Sequence, residues 1–180
     1  LAPQEDRSVS ASISAGTSST VASWATSDGT WLTTTRNGGA SWSEPVLLEP
    51  NLNAPTTLHR RGDRVVATHR SGLSRYMWVS DDGGDSWSEA REVETGGGTD
   101  PLAGVALEDD LITFVQMGRS HVFATSTPDA GQTWAQSGAL SFEPPERFTS
   151  TTGPSPILYP DAEVRNGVIT AVWSERDAQG

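Results

Sequence analysis

Short apolar stretches alternate along this chain with turns rich in Gly, Asp, Asn and Ser, and three copies of one eight-residue phrase set them in register. Thr35-Arg36-Asn37-Gly38-Gly39-Ala40-Ser41-Trp42 recurs as Ser80-Asp81-Asp82-Gly83-Gly84-Asp85-Ser86-Trp87 and as Thr127-Pro128-Asp129-Ala130-Gly131-Gln132-Thr133-Trp134. The tryptophans stand 45 and then 47 residues apart. A fixed period of this size marks a stacked or radial repeat of one supersecondary unit. Superposed on the phrase, the apolar stretches form columns. One strand runs into each phrase: Thr30 to Thr35, Arg75 to Ser80, His121 to Ser126. A more apolar strand precedes it: Thr20 to Trp24, Arg64 to His69, Leu111 to Gln116, with a fourth copy at Val168 to Trp173. Innermost strands fall at Ser8 to Ala15, Thr56 to Leu58, Leu102 to Leu107 and Ile157 to Val164. Polar alternating strands follow the tryptophans, at Ser43 to Glu49 and Ser88 to Val93. Short strands with turn signals at this spacing predict an all-β chain.

The phrase is accounted for by turn chemistry. Its Asp or Asn (Asn37, Asp82, Asp129) accepts hydrogen bonds from backbone N–H groups of the turn it begins. The Gly two residues later (Gly39, Gly84, Gly131) supplies a positive φ without a Cβ clash. Hydroxyl residues at both ends bond each other or the backbone. The indole (Trp42, Trp87, Trp134) starts the next strand and covers the turn with apolar surface.

This phrase resembles the Asp-box, or BNR repeat, of sialidases and other Asp-box β-propellers. The resemblance implies an all-β propeller of four-stranded antiparallel blades, with the phrase on the turn between the third and fourth strands, away from the ligand-binding face. The whole of 1–180 then reads as one propeller segment, with blades at about 6–50, 51–95 and 96–150 and a partial blade at 154–180. That is about three and a half blades, a partial propeller, where enzymes of the family close with about six. Open sheet edges invite association, so the expectation is pairing with remaining blades of the same protein or with a second copy. A small closed four-bladed form, completed by Leu1 to Arg7, is the alternative.

Charge narrows the partners. The formal net charge is −11 and every basic side chain is Arg, which disfavours nucleic acid and anionic membranes. No apolar run approaches a membrane span. Without Cys there are no disulfides or thiolate metal sites, and His59, His69 and His121 show no metal spacing. No cofactor or metal is expected. An extracellular or cell-envelope, bacterial setting is what the resemblance and the Lys-free composition imply.

Candidate chemistry lies on the loops opposite the phrases. Loops entering the innermost strands offer Asn51, Asn53, Asp100, Ser155, Tyr159 and Asp161; those between second and third strands offer Asp28, His69, Arg70, Arg75, Gln116, Arg119, His121, Glu175, Arg176 and Asp177. Sialidases hold a carboxylate sugar with an arginine triad, a Tyr/Glu nucleophile pair and an Asp acid/base. The resemblance therefore implies Arg70, Arg119 and Arg176 as triad-like, Tyr159 beside Glu175 as the pair, and Asp100 and Asp161 as substrate-side carboxylates. A Tyr paired with Glu avoids driving an anionic nucleophile at an anionic substrate, and Arg matches a carboxylate bidentately. The opposing reading is that arginines end strands because they solvate loops. The Phe-Arg-Ile-Pro segment that carries the first triad arginine in many sialidases is absent, and the first innermost strand holds no arginine.

Three other features read as structural. Ser27-Asp28-Gly29-Thr30-Trp31 is a hairpin turn, Arg61-Gly62-Asp63 is a turn on the phrase side despite matching the integrin tripeptide, and Glu108-Asp109-Asp110 is a solvated turn. The functional expectation is an exo-acting, retaining sialidase-like glycoside hydrolase, or part of one, acting on a glycan or glycoconjugate. A non-catalytic propeller binding carbohydrate or protein, and a structural blade segment of a larger extracellular protein, are the alternatives.

Overall fold

The computed structural model describes residues 11–50, 56–71, 74–94, 102–117, 122–137, 140, 157–165 and 168–175. Fourteen strands and no helix occur among them, in three four-stranded antiparallel sheets and one two-stranded sheet. The first sheet holds β1 (Ala11–Ala15), β2 (Thr20–Thr26), β3 (Gly29–Thr35) and β4 (Val46–Pro50) in chain order. The second repeats the order with β5 (Thr56–Arg61), β6 (Arg64–Ser71), β7 (Ser74–Ser80) and β8 (Arg91–Glu92). The third comprises β9 (Leu102–Glu108), β10 (Leu111–Met117), β11 (Val122–Thr127) and β12 (Ala135–Gln136). A last pair, β13 (Ile157–Arg165) and β14 (Val168–Glu175), forms the fourth sheet. These are meander blades of a β-propeller, three of them four-stranded. The chain divides into two compact units, Leu1–Val93 with the first two blades and Glu94–Gly180 with the rest.

The phrase forms the same turn three times. In the second blade, Asp82 Oδ1 accepts the N–H groups of Asp85 and Ser86, both at 3.0 Å, and Oδ2 accepts the Ser86 hydroxyl at 2.5 Å. Ser80 Oγ donates to Asp82 at 2.8 Å and accepts the Gly84 N–H at 2.8 Å. In the third, Asp129 takes the N–H groups of Gln132 and Thr133 at 3.0 and 2.8 Å and the Thr133 hydroxyl at 2.7 Å. In the first, Asn37 Oδ1 accepts Ser41 N–H at 2.9 Å, but its Nδ2 donates to the Ser41 hydroxyl at 2.8 Å. The serine reverses role and the turn survives the change from Asp to Asn. Gly39, Gly84 and Gly131 stand at φ of 91°, 105° and 90°, where a side chain is strained.

The outer strands begin later than the sequence suggests. The tryptophans do not open them: β4 starts at Val46, four residues past Trp42, and β8 is reduced to Arg91–Glu92. The reason lies in the serine after each of the first two tryptophans. Ser43 N–H donates to the Thr34 carbonyl at 2.9 Å and its hydroxyl takes Thr34 N–H at 3.0 Å; Ser88 does the same with Val79, at 2.8 and 3.0 Å. A side-chain oxygen thus stands in for the backbone acceptor, and regular pairing waits until past it.

Within the first unit, the second blade's turn seats on the first blade. Val21, Leu32, Leu58, Val65, Ala67 and Trp78 form a shared buried core, with Leu48, Tyr76 and Trp87 packed against it. Burial of such side chains contributes about 1.5–3 kcal/mol each. Above this core the contact is polar and close. Ser19 Oγ donates to Gly83 O at 2.7 Å, Thr34 Oγ1 to Gly84 O at 2.9 Å, and Arg60 Nη2 reaches both Ser19 Oγ and Gly83 O at 3.1 and 3.2 Å. A Cβ on Gly84 would overlap Val21 Cγ2 and stand 2.9 Å from Thr34 Oγ1. The glycine therefore permits both the turn and the approach of one blade to the next. Arg36 adds an exposed ion pair with Asp85 at 2.5 Å. Asp63, of the Arg-Gly-Asp tripeptide, also serves this joint: its carbonyl accepts Gly83 N–H at 2.8 Å and its carboxylate takes the Ser18 hydroxyl.

Candidate functional site

Taken blade by blade, the described candidate residues lie at or near the sheet end opposite the phrase turn. In the first blade this end is the β2–β3 hairpin, where Thr26 Oγ1 accepts Asp28 N–H and Trp31 Nε1–H, both at 3.2 Å. Asp28 sits on a turn built as a hairpin, in keeping with its sequence reading. In the second blade the β6–β7 ladder pairs His69 with Tyr76 and Arg70 with Arg75. The two arginines face each other across the ladder yet differ in setting: Arg70 is exposed, whereas Arg75 is only 4% exposed. His69 is buried, its ring edge-on to Trp78 with centroids 6.5 Å apart. Arg75 is the side chain the sequence placed in the loop set without selecting it; two arginines paired across the same ladder carry no sequence mark of which one is covered.

In the third blade Gln116 is fully buried, donating from Nε2 to Glu94 O at 3.1 Å and Thr125 Oγ1 at 3.0 Å. Its amide is engaged in holding the strand ends together. Arg119, Arg176 and Asp100 lie outside the described residues, as do Asn51, Asn53, His121, Ser155 and Asp177.

In the last sheet the backbone brings the remaining candidates to one end. Glu175 pairs with Ile157 and Ser174 with Leu158, after which the register shifts and Asp161 pairs with Val172. Tyr159 and Pro160 together therefore oppose Trp173. Proline has no N–H for the ladder, so a β-bulge is the expected result. Tyr159, Asp161 and Glu175 thus occupy the end of the β13–β14 ladder remote from its Arg165–Val168 hairpin, with Tyr159 in the bulge.

Electrostatics separate this end from the phrase turns. Burial pushes the Asp82 carboxyl up, but the hydrogen bonds from the Ser86 hydroxyl and N–H, the Ser80 hydroxyl and Asp85 N–H together hold it well below the ordinary range. The Thr133 hydroxyl and N–H, assisted by Thr127 and Gln132 N–H, lower Asp129 to about 2. Shifted carboxyls often mark active sites. These two are shifted by the bonds that close a turn, which is a structural cause.

No protein-family model matches the sequence, and no curated protein matches it. Solved structures do. A mutant of the NanB sialidase from Streptococcus pneumoniae is similar at 17% identity and a TM-score of 0.53, over 82% of this chain and 24% of that one. An alpha-L-arabinofuranosidase from Clostridium thermocellum is similar at 11% identity and a TM-score of 0.51, over 91% and 60%. Trypanosoma rangeli sialidase in complex with the inhibitor DANA gives 13%, 0.50, 87% and 28%. The chain spans about a quarter of the sialidases' length and 60% of the arabinofuranosidase. At these identities the likeness is one of fold, and that fold is the sialidase-like β-propeller, which glycoside hydrolases share.

Proposed function

We propose that this chain is part of a sialidase-like glycoside hydrolase whose ligand face is the end of the blades opposite the phrase turns. The observation that carries the reading is the β-bulge at Tyr159–Pro160, set on the same ladder end as Asp161 and Glu175. Bulges re-aim a side chain and are over-represented beside active sites. In this reading Tyr159 is the nucleophile, and Glu175 takes its proton as the phenol attacks the anomeric carbon. A neutral nucleophile suits a substrate that already carries a carboxylate. Arg70, with Arg119 and Arg176, binds that carboxylate through paired N–H donors. Asp100 or Asp161 protonates the leaving oxygen and then activates water, giving retention. The ligand is a glycan or glycoconjugate ending in an acidic sugar. The phrase turns, as Asp-boxes, serve the fold alone.

The test is turnover of a fluorogenic sialoside. Tyr159→Phe is expected to lower kcat by at least about 100-fold, and Arg70→Ala to raise KM by about tenfold or more, the loss of one charge-assisted hydrogen bond. Calorimetric binding of the sialoside with no turnover in the unaltered protein would replace hydrolysis by recognition on the same face. Neither binding nor turnover would sink both.

A further inference from the structure

The joint between the first two blades has two halves, and each half recurs uncovered elsewhere in the chain. One half is the turn of a phrase, presenting two left-handed glycines. The other is a strand face, Val21 and Ser23 of the second strand with Ser19 just before it and Thr34 of the third, which the next blade buries. The first blade's own phrase has the same backbone, with Gly38 and Gly39 at φ of 68° and 91° against 78° and 105° for Gly83 and Gly84. Yet a Cβ on Gly38 would meet nothing within 4 Å among the described residues, and one on Gly39 only Trp42 Nε1 at 4.0 Å. Trp42 is 42% exposed, whereas Trp87 packs against the shared core.

The strand face recurs on β14. The β13–β14 hairpin pairs Arg165 with Val168 as the β5–β6 hairpin pairs Arg61 with Arg64, and β2 and β6 are matched through their pairing with Thr35 and Ser80. Thr170 and Val172 thereby stand at the positions of Val21 and Ser23. Val21 and Ser23 are buried; Thr170 is exposed, and Val168 and Val172 are 64% and 61% exposed. An uncovered sheet face carrying alternate valines is an association surface.

We propose that the occupant of both surfaces is a second copy of this chain, the Gly38–Gly39 turn and Trp42 of one copy seating on the Val168, Thr170 and Val172 face of the other. Each copy carries both halves, so two such contacts, each turn on the other copy's face, close a two-fold pair. Charge favours this particular turn. The second phrase carries Asp81, Asp82 and Asp85, whereas the first has Arg36, Asn37 and Ala40 in their places and no carboxylate. Docked on a copy with a net charge of −11, it avoids the repulsion that the second phrase would meet. The Val168–Val172 face adds no charge of its own.

Light scattering coupled to size exclusion tests this on the full chain, with Trp42→Ser and Val172→Asp. Both positions are exposed, so the substitutions leave the interior intact, and Val168→Arg replaces Val172→Asp should that variant lose its circular dichroism. The unaltered protein is expected at twice the chain mass, and each variant alone at the single mass, with at least a tenfold weaker association. An equimolar mixture of the two variants should regain the double mass, because one contributes an intact turn and the other an intact face. A single-chain mass for the unaltered protein at all concentrations overturns the proposal. So does double mass retained in both variants, or failure of the mixture to recover it.

Discussion

A single carboxylate holds each phrase turn closed, and its state sets how the turn responds to acid. Asp82 receives four hydrogen bonds from its own turn. Asp82→Ala is therefore expected to cost about 1–2 kcal/mol, the scale of losing a capping side chain, measured by urea unfolding at neutral pH. The carboxyls' folded values lie below their unfolded ones, so their contribution is present above about pH 4. It is lost as pH falls through the folded value, about 2 for Asp129. Asp129→Asn should accordingly flatten the fall in stability between those limits and lower stability at neutrality, where the ionised carboxylate contributes. An equal acid slope in both proteins would refute this assignment. The third turn also contains a strained residue. Ala130 sits at φ 53°, where the other two phrases have Gly38 and Gly83. Left-handed geometry costs an L-residue about 1–2 kcal/mol, and glycine's extra unfolded freedom returns part of that. Ala130→Gly should thus stabilise the second unit by about 0.5–1 kcal/mol, read as a rise in unfolding midpoint.

At the scale of the strand and the blade, the same glycine has two uses that a pair of variants separates. Gly84→Ala meets both an unfavourable φ and a collision with Val21 and Thr34, whereas Gly39→Ala meets the φ alone. Strain and overpacking each cost about 1–3 kcal/mol. Gly84→Ala should therefore be the more damaging by about 1–3 kcal/mol; equal losses in denaturant titrations would show that blade docking contributes nothing. The second and third strands were legible in the sequence because they run between fixed points, a hairpin at one end and the phrase at the other. Predicted Thr20 to Trp24 and observed Thr20–Thr26 differ only at an end. Outer strands were not, because Ser43 and Ser88 bond the neighbouring strand with hydroxyls and postpone its ladder. At the candidate site, the sequence offers Tyr159 as a residue type on an innermost strand, and that strand is β13. The bulge beneath it is signalled by Pro160 alone, and the apolar pattern of Ile157 to Val164 reads as an unbroken strand. The burial of Arg75 over Arg70 depends on neighbours that no local pattern encodes.

Over the whole molecule, the uncompensated charge is the dominant long-range term. With a net charge of −11, self-repulsion opposes the compact state, and salt screens it over a Debye length of about 10 Å at 0.1 M. Raising sodium chloride from 10 to 200 mM (about 30 to 7 Å of screening length) should raise Tm by a few degrees. A flat or falling Tm would mean that the Arg36–Asp85 and Arg64–Asp81 pairs outweigh the general repulsion. Those pairs are partly exposed and worth about 0–1 kcal/mol each, which favours the rise. The joint between the first two blades bears on how such a chain grows. Each period of the repeat has one such turn and one such strand face, so each carries both a plug and a receptacle. An in-frame duplication of one period would bring its own fitting at each side, and the lengthened chain would need no compensating change at the new seam.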